Sequence, residues 1–151
     1  MDLRTLLPQL LPHAIAWAEF QAGHVAAVGM PLPEELAPVA RRVGVRRPEL
    51  IRMILVDELP LPEEPLLREA PLETGLLGPG MVGLTLGYSI FVISGHDTVR
   101  LISHECRHVY QYETLGSIDR FLPAYLQQIV EFGYASAPFE VDARAYEIHF
   151  T

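Results

Sequence analysis

The spacing of apolar and polar residues predicts a mainly helical chain with a short stretch of strands. Apolar residues recur at helical spacing over residues 12–28, 98–115 and 117–131, and a shorter helix is predicted over 33–43. A further helix is predicted to begin at Pro138, because proline is favoured at the first helical position. Residues 50–56 and 82–93 are rich in β-branched, aliphatic or aromatic residues and are predicted as strands, with a short helix as the alternative for 50–56.

Prolines and glycines separate these elements. Pro60, Pro62 and Pro65 predict an extended connection, and residues 71–80 are predicted as a glycine-rich loop. A chain of 151 residues is long enough to bury one proper core. We therefore expect one α+β domain, in which a short mixed sheet packs on the central helix 98–115. Its parts are a helical segment 1–48, strands and loops over 49–96, and helices over 97–151.

The helix at 98–115 has well-defined ends and two apolar faces. Asp97 or Thr98 can cap its first turn, and Gly116 suits the position just after its last residue. Apolar side chains line one face and extend onto the other, which predicts a buried, central helix. The residues of the first stripe are Val99, Ile102, Cys106 and Val109.

The same helix carries the pattern His-Glu-x-x-His, formed by His104, Glu105 and His108. Two histidines four positions apart share one helix face, so two imidazole nitrogens can converge on one divalent ion, typically zinc. Glu105 is rotated by about 100° from that face. It therefore flanks the ion without binding it, which is the place of a general base acting on water.

A catalytic zinc normally takes three protein ligands and keeps one position open. Glu140 is the predicted third ligand, because Pro138 places it in the first turn of a new helix that can return to His108. The alternative is an ordinary acid stabilised by the helix N-terminus. The upstream His-Glu-x-x-His pattern favours the ligand interpretation.

The segment from about residue 83 to 146 resembles the small gluzincin metallopeptidases. The similarity rests on His104-Glu-Cys-Arg-His108, Gln111-Tyr112-Glu113, Leu115-Gly116, Phe121, Tyr125-Leu126, Gly133-Tyr134 and Pro138-Phe139-Glu140. The resemblance implies a zincin-like domain with one zinc ion at His104, His108 and Glu140, and with Glu105 polarising the attacking water. Many gluzincins hold the first histidine with an aspartate four residues after the ligand glutamate. This chain has Arg144 there, and Asp142 is two residues too early for the same face.

Composition limits the possible partners and compartment. The net charge of −8 argues against nucleic acid or an anionic membrane as the main partner. The single cysteine, Cys106, cannot form an internal disulfide and lies in the apolar stripe, so we interpret it as a buried thiol. We therefore expect a cytoplasmic protein.

These observations predict a zinc metallopeptidase acting on a peptide or unfolded protein, with Glu105 as general base. A second donor to the oxyanion is expected, and Tyr134, Tyr112 and His149 are candidates, with Tyr134 preferred because it lies just before the third ligand. The strand at 82–93 is expected to offer a free backbone edge beside the metal, or else to be a plain core strand. The alternative function is a catalytically silent zinc-binding interaction module.

Overall fold

In the part of the chain that the structure describes, six α-helices and a four-stranded mixed sheet form an α+β fold, which confirms the predicted fold class. The computed structural model describes residues 2–73, 76–78 and 80–149. The helices are α1 Leu3–Val28, α2 Ala37–Arg42, α3 Pro65–Glu73, α4 Val99–Leu115, α5 Ile118–Phe132 and α6 Pro138–Ala145. The strands are β1 Met30–Pro31, β2 Arg52–Val56, β3 Gly83–Leu86 and β4 Ser89–Ile93, in the order β1-β2-β4-β3.

The segment predicted as one strand over 82–93 is a hairpin, so that prediction was wrong. Leu86 pairs with Ser89 across a two-residue turn, and Gly87 has a φ of 68°, a conformation that glycine adopts without strain. β4 is paired on both sides, with β2 in parallel and β3 in antiparallel orientation. Within the described residues, only β3 of this pair keeps a free backbone edge.

Helix α1 begins nine residues before the predicted start at residue 12. Asp2 caps it by accepting a hydrogen bond from the backbone N–H of Arg4 at 3.0 Å. Pro8 and Pro12 lie inside the helix, where each removes a backbone donor. Packing of α1 against α5 and the sheet outweighs this loss, because buried side chains occur from one end of the helix to the other. These residues are Leu7, Ala14, Ala18 and Val25.

Three other predictions change in detail. The helix expected over 33–43 consists of a 3-10 turn, Glu34–Leu36, followed by α2. The strand expected at 50–56 is β2, which begins after a 3-10 turn at Pro48–Leu50. A loop was expected over 71–80, but α3 continues to Glu73. Residues 74, 75 and 79 lie outside the described part of the chain.

Helix α4 lies at the centre of the fold, as the sequence predicted. Thr98 caps it by accepting a hydrogen bond from the N–H of Leu101 at 3.2 Å, and Gly116 follows it with a φ of 106°. Its apolar stripe packs with α2, β2 and β4 in one core, while its other side contacts a second core built on α1 and α5. Cys106 is fully buried in the first core, and burial raises the pKa of its thiol to about 12. Of the helices in the described residues, none combines the length and the apolar character needed to cross a membrane.

Candidate metal centre

The three predicted ligand residues meet in the interior, where α4 faces the first turn of α6. His104 Nε2 lies 3.1 Å from Glu140 Oε1, and His108 Nε2 lies 3.0 Å from Glu140 Oε2. One ligand atom from each residue lies within 4.8 Å of the other two. Ligand atoms in a tetrahedral zinc site with bonds near 2.1 Å are about 3.4 Å apart, so this group could hold a metal ion.

Hydrogen bonds fix which nitrogen of His108 faces Glu140. The Gln111 side-chain NH2 donates to Phe139 O at 3.0 Å and to Asp142 Oδ2 at 2.9 Å, so its oxygen must be the atom that faces His108. That oxygen accepts from His108 Nδ1 at 2.8 Å. Nδ1 therefore carries a proton, so Nε2 is the nitrogen that can bind a metal once it loses its own proton.

His104 is oriented by Glu147, a residue that sequence reasoning missed. Its Nδ1 lies 2.8 Å from Glu147 Oε2, and Arg100 holds the other carboxylate oxygen at 3.5 Å. The N–H of Ile148 donates to Ser103 Oγ at 2.8 Å, which anchors the segment after α6 to α4. Glu147 thus makes the contact to the first histidine that many gluzincins make with an aspartate four residues after the ligand glutamate. No local sequence pattern predicts the contact between Glu147 and His104, because Glu147 lies beyond the end of α6.

Arg144 and Asp142 serve other contacts. Arg144 donates to the carbonyl of Ala135 near the surface. The Asp142 carboxylate accepts hydrogen bonds from Nε and Nη2 of Arg107, at 2.8 and 3.2 Å, and from the Gln111 amide. Burial alone would raise the pKa of Asp142, but the bonds from Arg107 and Gln111 lower it below its ordinary value. Asp142 therefore supports His108 through Gln111 rather than holding His104.

Glu140 forms an ion pair with the imidazoles of His104 and His108. Burial would raise the pKa of Glu140, but the charge of His108 and hydrogen bonds from both histidines and from Tyr125 hold it well below its usual range. Burial would lower the pKa of His108, yet the facing carboxylate raises it to about 9. A divalent cation would replace these protons as the positive charge, because a metal binds neutral imidazole and ionised carboxylate. The donor set of two imidazole nitrogens and one carboxylate oxygen suits zinc.

Glu105 lies beside this group but belongs to a different hydrogen-bond set. Its Oε1 accepts from the hydroxyl of Thr85 on β3 at 2.8 Å, and its Oε2 lies 4.0 Å from His104 Nε2. A Cβ atom added at Gly83 would lie 3.0 Å from the same carboxylate, so this glycine leaves room for it. Burial raises the pKa of Glu105 above its ordinary value, against the opposing effect of the two imidazoles.

Three tyrosines surround the Glu105 side of the site. Tyr125 on α5, which the sequence analysis did not predict as a site residue, donates to Glu140 Oε2 at 2.7 Å. Tyr134 and Tyr112 line the adjoining cavity together with Glu105, and burial, followed by nearby carboxylate charge, raises the pKa of both phenols. His149 is exposed and lies 3.9 Å from Glu147. Two of the three candidate oxyanion donors therefore share the cavity, and His149 lies beside the residue that contacts His104 Nδ1.

Protein-family models, curated proteins and solved structures were compared with the chain, and none matches it.

Proposed function

We propose that this protein is a zinc-dependent metallopeptidase that hydrolyses peptide bonds. The observation that carries the proposal is the convergence of His104, His108 and Glu140, with both Nε2 atoms presented by hydrogen bonds at Nδ1. Three protein ligands leave a position for water or substrate, as in catalytic zinc sites. The carboxylate of Glu105 adds a base next to this position, which a purely structural site does not need.

The chemistry divides between the ion and the chain. His104, His108 and Glu140 would hold the zinc, which when bound would supply a Lewis acid for the carbonyl and would lower the pKa of water toward about 7. Glu105 takes a proton from the attacking water and delivers it to the leaving nitrogen. A C–O bond forms and the amide C–N bond breaks, giving one carboxylate and one amine.

The neighbours of Glu105 suit a general base. Burial raises the pKa of Glu105 above its ordinary value, which makes its carboxylate a stronger base toward water. The hydroxyl of Thr85 fixes one carboxylate oxygen and so limits the orientations of the other. We assign Tyr134 as the donor to the oxyanion, because its hydroxyl remains protonated at neutral pH and its side chain lines the cavity with Glu105.

The free edge of β3 supports a peptide as the substrate. Gly83 and Thr85 both contact Glu105, so an extended chain pairing along this strand would run past the base. Strand addition uses main-chain hydrogen bonds and accepts many sequences. We accordingly propose peptide or unfolded protein substrates, with β3 rather than the whole 82–93 segment as the docking edge.

Replacing Glu105 by glutamine tests the mechanism. Glu105→Gln should still bind one zinc per chain, while turnover of an unfolded casein-like substrate should fall about 10²–10⁴-fold. Glu131→Gln, an exposed substitution of the same kind on α5, is the matched control and should be fully active. Chelator should abolish the wild-type activity, and zinc should restore it.

The same experiment separates the proposal from a silent interaction module. Wild-type protein that binds zinc stoichiometrically yet cleaves nothing would favour the module. Comparable turnover by wild type and Glu105→Gln would show that Glu105 is not the base.

A further inference from the structure

A deep cavity opens directly from the candidate metal centre. It lies between α1, α5 and β3 and has a volume of about 120 Å³. Glu105, His108 and Glu140 form one part of its wall. The lining continues along α1 from Ala18 to Leu3, fifteen helical positions or about 22 Å along the axis.

Away from the metal centre the wall is almost entirely apolar. Of the described residues that line the cavity, only Glu105, His108 and Glu140 carry an acid or an imidazole. The walls on α1 and α5 are mainly leucine and other aliphatic side chains with aromatic rings. The cavity therefore combines one reactive end with a long hydrophobic remainder.

This polarity argues against a peptide as the occupant of the remainder. Most backbone groups of α1 and α5 bond within their own helices, so they offer few partners to a second backbone. Each buried amide left without a partner would weaken binding by about 5–150-fold. A hydrocarbon chain has no such groups, and the wall extends well beyond the reach of a single aromatic side chain.

We infer that the cavity binds a long unbranched aliphatic chain joined to the amide that is cleaved, as in an N-acylated amino acid or peptide. The amide lies at the metal centre, where the free edge of β3 can bond the polar part, and the chain extends along α1 and α5. The cleavage step rests on the proposed function, whereas chain binding does not require it.

Trp17 provides a direct readout of occupancy. It is the only tryptophan in the chain, and its side chain lines the cavity. Titrating the protein with straight-chain N-acylglycinamides, from butanoyl to decanoyl, should change the fluorescence of Trp17. Each added methylene should lower Kd about fourfold until the cavity is filled. The titration is done with and without added zinc.

Narrowing the cavity should shorten the chain that fits. Ala14 is buried and lines the cavity, whereas Ala16 is exposed on the same helix, so Ala14→Phe and Ala16→Phe form a matched pair. Ala14→Phe should abolish the gain from the longest chains and keep butanoyl binding, and Ala16→Phe should behave as wild type. Leu126→Phe, at a half-buried lining position on α5, repeats the test should Ala14→Phe not fold.

Four results would overturn the inference. The first is that no acyl probe changes the Trp17 fluorescence, and the second is a Kd that does not depend on acyl-chain length. The third is that Ala14→Phe and Ala16→Phe have equal effects, and the fourth is that a phenylacetyl probe binds as tightly as the decanoyl probe. The two proposals fail separately. Chain-dependent binding without hydrolysis supports the inference and contradicts the peptidase. Casein hydrolysis without chain-dependent binding supports the peptidase and contradicts the inference.

Discussion

Because Glu147 contacts His104, we expect the segment after α6 to affect the zinc affinity of the site. Glu147 Oε2 lies 2.8 Å from His104 Nδ1, and its side chain is only 13% exposed. Glu147→Gln keeps the shape and an acceptor oxygen but loses the charge, whereas Glu147→Ala loses the acceptor. Loss of such a partner typically weakens metal binding about 10–100-fold, which equals roughly 1.4–2.8 kcal/mol. We expect Glu147→Gln near the lower limit and Glu147→Ala near the upper.

The assay is zinc competition against a chromophoric chelator at fixed pH and ionic strength. Glu49→Gln is the control for net charge, because Glu49 forms an exposed pair with Arg47 and its field is screened beyond about 8 Å at physiological salt. Ser103→Ala removes the hydroxyl that anchors Ile148 and should weaken zinc binding less than Glu147→Ala. Thermal unfolding of each metal-free variant separates a local effect from loss of the fold.

Two results would refute the reasoning. Wild-type zinc affinity in both Glu147 variants would mean that packing alone orients His104. An equal loss in Glu49→Gln would mean that overall charge, not the hydrogen bond, governs affinity.

Three further predictions concern neighbouring groups. Gly83→Ala should displace the Glu105 carboxylate by a few tenths of an ångström and lower turnover, by less than the roughly 100-fold cost of a 1 Å misplacement, with zinc binding unchanged by titration. Tyr134→Phe should lower kcat about 10²–10³-fold with KM little changed, and unaltered kcat would exclude Tyr134 as the oxyanion donor. In metal-free protein the pKa of His108 is raised to about 9, above its value of about 6.5 in the unfolded chain. The protonated imidazole therefore stabilises the fold fully below about pH 6.5, and this contribution to the free energy of unfolding is lost as the pH rises through 9. Zinc must displace that proton, so affinity should rise with pH up to about 9, and calorimetry in buffers of different ionisation enthalpy should detect proton release at pH 7.

The sequence alone determined the features that depend on short-range chemistry. Helix α4 begins after Thr98 and ends before Gly116, because a capping side chain and a glycine with positive φ each act within one helical turn. Pro138 begins α6 because its fixed φ suits the first helical position, which is also a local effect. The four-residue spacing of His104 and His108 sets their shared face once the helix is given. These local rules predict that His104 and His108 share one face and that Glu105 flanks it, whereas the assignment of Glu140 also needed the upstream His-Glu-x-x-His pattern.

Only the tertiary structure decided which residues support them. Glu147 reaches His104 across 43 positions, and Thr85 reaches Glu105 across 20, through the packing of separate elements. The early start of α1 through Pro8 likewise depends on burial against α5, which outweighs the local cost of proline. The apolar cavity is also formed by elements far apart in the chain. Periodicity identifies the apolar residues that line it, but only the packing of α1, α5 and β3 leaves space between them.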